Sequence, residues 1–105
     1  MPKNSKRSRL AYSEFVASTA RFYVRNPQCN RFKNEADKNN WNAAKFAFLS
    51  LSDKERDAVG KLYLWDEPFT DNINKYADES GVSVNDIWGI VKDFEQRVAK
   101  RRGLI

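Results

Sequence analysis

The chain has 105 residues, 41% of them hydrophobic and 31% charged, and contains no histidine, a size that supports one small domain with a single core. The lack of histidine excludes a histidine general base, a mixed Cys/His zinc site and a histidine-ligated haem, while the single cysteine, Cys29, excludes an intramolecular disulfide and fits a reducing, cytoplasmic setting. The formal net charge of +5 is unevenly placed: residues 1–33 carry +7, residues 34–71 carry −3 and residues 72–105 carry +1.

The chain opens with PKNSKRSR, and residues 1–9 read as a disordered basic arm that attracts polyanions through Lys3, Lys6, Arg7 and Arg9. A solvated terminus that keeps the protein soluble is the competing reading. No apolar stretch follows the arm as it would in a secretory leader, and the longest uncharged apolar run, Phe46 to Leu51, is far too short for a membrane span. Residues 10–105 are expected to form one helical domain. Leu10, Phe15, Ala17, Ala20, Phe22 and Val24 predict a first helix over Leu10 to Arg25, stopped at Asn26-Pro27 because the residue before proline disfavours helix. QCNRFKNEADKNN then reads as a polar link. Trp41, Ala44, Phe48 and Leu51 fall at i, i+3, i+7 and i+10, the stripe of a second helix, and Trp41, Phe46 and Phe48 read as core rather than as a base-stacking platform. Ser52 and Glu55 form a capping box for a third helix through Val59, Leu62 and Tyr63, and Pro68 closes that region. Thr70 is expected to cap a short fourth helix with Ile73, Tyr76 and Ala77 facing in and Gly81 closing it. Ser83, with Asp86 three residues on, caps a fifth helix whose stripe is Ile87, Val91, Phe94 and Val98. Five helices without a hairpin signal predict an all-α domain.

The stretch YADESGVSVNDIWGI, residues 76–90, has the local chemistry of a helix-turn-helix. Ala77 is the small residue where two helices cross, Gly81 supplies positive φ four places later, and Ile87 packs back on the first helix. LSDKERDAV, Leu51 to Val59, followed by Leu62-Tyr63 and then by this pair, resembles region 4 of bacterial RNA polymerase sigma factors, over Leu51 to Arg102. The resemblance implies a compact module, here with an N-terminal helical extension over residues 10–50, that binds double-stranded DNA through the fifth helix and touches RNA polymerase. Nothing in the chain resembles the core-polymerase-binding region 2 of those factors. The connection LWDEPFTDN is longer than the family's, and where its reading helices carry Arg, Glu and Gln this chain has Val84, Asn85, Asp86, Trp88 and Gly89.

Phosphate contacts are assigned to the arm, Lys75, Lys92 and the terminal cluster Arg97, Lys100, Arg101 and Arg102, which the helix dipole also favours at a C-terminus. Base contacts are assigned to Ser83, to Asn85, whose amide matches adenine, and to the face of Trp88 and Gly89. Trp88 shares that face with Asn85, Lys92 and Gln96 and admits three readings: extra core beneath the N-terminal helices, the anchor of a protein interface such as a homodimer, or a contact with a thymine methyl or sugar. Asp66 and Glu67, adjacent in a loop, define no acid–base geometry, and Cys29 has no catalytic partner. With no metal, phosphate-loop or nucleophile motif, neither catalysis nor a cofactor, metal or small-molecule ligand is expected. The sequence therefore predicts a small DNA-binding transcriptional regulator of bacterial, phage or mobile-element type. The alternative is a dimerisation or partner-binding module on the same scaffold.

Overall fold

The computed structural model describes residues 12–105, so the basic arm of residues 1–9 lies outside the described residues. Within them are five α-helices and no strand: α1 (Ser13–Arg25), α2 (Glu35–Leu49), α3 (Asp53–Leu64), α4 (Phe69–Ser80) and α5 (Val84–Arg101). This is the all-α architecture expected. No described helix is long and apolar enough to cross a membrane.

Local chemistry places most helix ends. α1 stops at Arg25, where Asn26 precedes Pro27. α3 begins with the predicted capping box: Ser52 Oγ accepts the Glu55 N–H at 3.2 Å, and Glu55 Oε1 accepts the Ser52 N–H at 3.0 Å, which holds the Glu55 carboxyl below its ordinary range. Ser83 Oγ accepts the Asp86 N–H at 3.1 Å and starts α5. Three starts differ from expectation. α1 begins at Ser13 with Tyr12 in the cap position, and Leu10, where it was expected to begin, lies outside the described residues. α2 begins at Glu35, well before Trp41, because Asn34 accepts the Asp37 N–H at 2.8 Å and two acids occupy the positive end of the helix, so about half of the polar link is helical. α4 begins at Phe69 with Pro68 in the cap position, and Thr70 is already inside the helix. Packing decides that start: the Phe69 ring lies 5.0 Å from Tyr63 and 5.9 Å from Trp88, centroid to centroid.

The core draws on every helix. Val16 and Ala20 of α1, Ala43 and Ala47 of α2, Val59, Leu62 and Tyr63 of α3, Ile73 and Tyr76 of α4 and the predicted stripe of α5 form one apolar cluster, joined by Leu51 just beyond α2. α5 packs against each of the other helices. A smaller cluster joins α1 to α2 through Tyr23, Trp41 and Ala44, with the Trp41 Nε1–H donating to the Asn26 carbonyl at 3.0 Å. Trp41 is core as predicted and Phe48 is half-buried, but Phe46 is 50% exposed. The buried face of α2 is built from Ala43, Ala44 and Ala47, small residues that bring the helix close and leave Phe46 on its outer side.

Polar groups inside this core were not legible from spacing. Glu95 is 1% exposed, and its carboxylate accepts from Ser13 Oγ at 3.0 Å and from the Tyr63 hydroxyl at 3.1 Å, fastening α1 and α3 to α5. Asn72 Nδ2 donates to the carbonyls of Leu62 at 3.0 Å and Trp65 at 3.2 Å, satisfying groups that the end of α3 leaves without helical partners. The Tyr76 hydroxyl donates to Asp57 Oδ2 at 2.9 Å and joins α4 to α3. Burial, then the hydrogen bond and negative charge of Asp57, push the Tyr76 phenol up to about 12. Because the folded state favours the protonated phenol, this stabilisation is complete below the unfolded value of about 10 and is lost as pH rises through about 12. Tyr76→Phe is therefore expected to flatten the fall in stability across that window in urea titrations at successive pH values. A variant that tracks the wild-type fall would remove Tyr76 as its source.

Candidate nucleic-acid interface

α4 and α5 are joined by three residues, Gly81 to Ser83. The Gly81 N–H donates to the Ala77 carbonyl at 2.9 Å, and Gly81 lies at φ 79°, a left-handed conformation that strains any residue with a side chain. Ser80 Oγ steadies the turn by donating to the Tyr76 carbonyl at 2.7 Å and accepting the Val82 N–H at 3.1 Å. Ile87 is fully buried, and Ala77 is half-buried against the same core cluster.

Helical spacing sets the open side of α5. Asn85, Gly89, Lys92 and Gln96 are exposed, and Lys100, four residues beyond Gln96, continues the same face to the last turn. Among the described residues nothing lies within 4 Å of where a side chain at Gly89 would begin. At 1.5 Å per residue the face runs for roughly 22 Å. The N-terminal helices reach α5 at its other end, through Ser13 on Glu95, Ser50 on Arg97 and Asn40 on Arg102. Trp88 is half-buried at the corner, with its ring edge-on to Phe69, and belongs to the margin of the core. Phe69, at the start of α4, is one ring it meets.

The predicted basic contacts divide into two kinds. Arg97 Nη1 donates to the Ser50 carbonyl at 3.1 Å and to Ser50 Oγ at 2.8 Å, while Nη2 pairs with Asp93 at 2.9 Å. Arg102 Nε donates to Asn40 Oδ1 at 2.6 Å. Both fasten α5 to α2. The Lys75 ammonium sits 4.2 Å from the centroid of Trp65, whereas Lys92 and Lys100 stand exposed on the open face. Ser83 is exposed at the N-terminus of α5 while its hydroxyl caps the helix. Lys3, Lys6, Arg7 and Arg9 lie outside the described residues.

No protein-family model, curated protein or solved structure matches this chain.

Acid bounds the open face on one side. Beside the turn lies a cleft of about 910 Å³, lined by Asp53, Lys54, Glu55 and Asp57 of α3 and by Asp86 of α5 over an apolar floor that includes Val82 and Ile90. Four carboxylates against one ammonium make this lining net acidic, in contrast to the far end of α5. At that end the arrangement contains a residue that sequence reasoning assigned to the core: the guanidinium carbon of Arg101 lies 4.4 Å from the centroid of the exposed Phe46 ring. The signal for it was present in the alanines at 43, 44 and 47, which mark the buried side of α2 and place Phe46 off it.

Proposed function

We propose that the protein is a small, non-enzymatic DNA-binding regulator of transcription, cytoplasmic and of bacterial, phage or mobile-element type, that lays the open face of α5 against duplex DNA. The observation that carries this reading is the continuous exposed face of Asn85, Gly89, Lys92, Gln96 and Lys100 beside a three-residue turn. Its two amides can pair with base edges, its two ammonium groups can meet phosphates, and Gly89 lets a groove wall approach the helix backbone. Ser83 adds the N-terminus of α5, where exposed N–H groups favour an anion. Contact with RNA polymerase rests on the sigma-factor resemblance alone.

Fluorescence anisotropy of a labelled mixed-sequence duplex, titrated at several salt concentrations, tests the reading. Affinity is expected to fall steeply with salt, and the double substitution Lys92→Ala, Lys100→Ala is expected to lower the log–log slope by about 2, since each phosphate contact contributes about 0.9. The thermal midpoint should not change, because both lysines are exposed. No binding at low salt, or an unaltered slope in the double variant, overturns the proposal.

The second reading, an interaction module on the same scaffold, is favoured by one feature elsewhere. Phe15 and Phe22, seven residues apart on α1, are 40% and 41% exposed and, with Phe32, line a groove of about 490 Å³. These rings, rather than the half-buried Trp88, are the candidate anchors of a homodimer or partner contact. Sedimentation equilibrium separates the readings: a monomer across micromolar concentrations that binds duplex DNA leaves the module without support.

A further inference from the structure

Half of the Phe46 surface is open to solvent, yet its ring is covered from one side by a guanidinium rather than by another apolar side chain. An aromatic ring beneath Arg101 restricts that side chain to a plane while leaving its N–H donors available at the edge. Two shallow clefts of about 370 and 390 Å³ share this pair as their common wall. Lys100 borders the first and the amides of Asn39 and Asn42 border the second, and no carboxylate lines either. Arg97, held by Ser50 and paired with Asp93, and Arg102, held by Asn40, act as buttresses that fix the last turns of α5 against α2.

We propose that the outer face of α2 and the C-terminal turn of α5 form a preorganised site for the phosphodiester backbone of duplex DNA, with Arg101 and Lys100 as charged contacts and Asn39 and Asn42 as amide donors. The proposal rests on the reading that the chain binds duplex DNA and extends it to α2. The helix dipole by itself draws cations to a helix C-terminus, but it accounts neither for an exposed phenylalanine under Arg101 nor for Arg102 turned toward Asn40. A cleft on each side of one fixed guanidinium suits successive phosphates of a strand better than a lone anion. Lys100 also belongs to the open face of α5, so a backbone seated here continues along the helix.

Two variants separate charge from preorganisation. Arg101→Gln is expected to weaken duplex binding about tenfold and to lower the salt slope by about 1, the signature of one lost phosphate contact. Phe46→Ala removes no charge and is expected to weaken binding with the slope unchanged, because Arg101 must then be ordered on binding. Both sites are exposed, so the fold is retained. If Phe46→Ala binds as tightly as the wild type, or Arg101→Gln keeps its full slope, the site is overturned. A chemical-shift titration of the full chain with a short mixed-sequence duplex locates the contact independently. Shifts at the Asn39 and Asn42 side-chain amides and Arg101 Nε–H support the site. Shifts confined to residues 85–96 overturn it while sparing the proposed α5 face, shifts confined to the α2 side support it and overturn that face, and no shifts anywhere overturn both.

Discussion

Phe94→Ala is expected to lower the thermal midpoint by tens of degrees or to abolish the cooperative transition. Phe94 has no exposed surface, its ring lies 5.7 Å from that of Tyr63, and it sits on α5, which with α3 packs against all the other helices. Truncating a buried phenylalanine costs about 3–5 kcal/mol, set against a total of about 5–15 kcal/mol for a domain of this kind. With roughly 4–8 °C lost per kcal/mol at this size, the midpoint followed by circular dichroism should fall by about 12–40 °C. Phe15→Ala is the control, since its ring is 40% exposed and most such changes stay within about 0.5 kcal/mol. A fall of only a few degrees in Phe94→Ala would mean that α5 is not the surface on which the other helices assemble.

Glu95→Ala should be nearly as damaging, for a different reason. Its carboxylate accepts hydrogen bonds from the Ser13 and Tyr63 hydroxyls within the core, and removing it takes this acceptor from both as well as opening a void. Each buried donor left unsatisfied costs about 1–3 kcal/mol, so a loss of about 3 kcal/mol or more is expected from urea denaturation. Glu95→Gln keeps an acceptor in place and should lose less. The decisive measurement is a double-mutant cycle with Tyr63→Phe: coupling of about 0.5–3 kcal/mol is expected for groups in one network, and additivity would show that the hydroxyl does not depend on the carboxylate.

Both residues bear on how far function can be read from such a chain. The stripe containing Phe94 is plain in the spacing of Ile87, Val91 and Val98, because burial of one helix face repeats with the helix period. Glu95, in a run with Gln96 and Arg97, has the composition of a solvated face; only the arrival of Ser13, 82 residues away, and of Tyr63 makes it core. Lys75 and Arg97 read alike as phosphate contacts, but Arg97 is held by Ser50 and Asp93 while Lys75 stays exposed against Trp65. Phe46 erred in the opposite direction, since an aromatic residue in an apolar helix reads as buried unless the alanines beside it are seen to define the inner face. The start of α2 was hidden for a third reason: Asn34 and Asp37 cap a helix whose first turns bear almost no apolar residue.

What the sequence determined by itself was therefore the set of short-range features: the capping box at Ser52, the cap at Ser83, the left-handed close at Gly81, the stop before Pro27 and the buried stripe of α5. Each depends on residues within about one helical turn, so each is written locally. Only the tertiary structure decided which charged and aromatic side chains hold the helices together and which stand open to a partner. That division depends on how helices distant in sequence rotate against one another, and the bonds from Ser13 to Glu95, from Arg97 to Ser50 and from Arg102 to Asn40 exist only once all of them have packed.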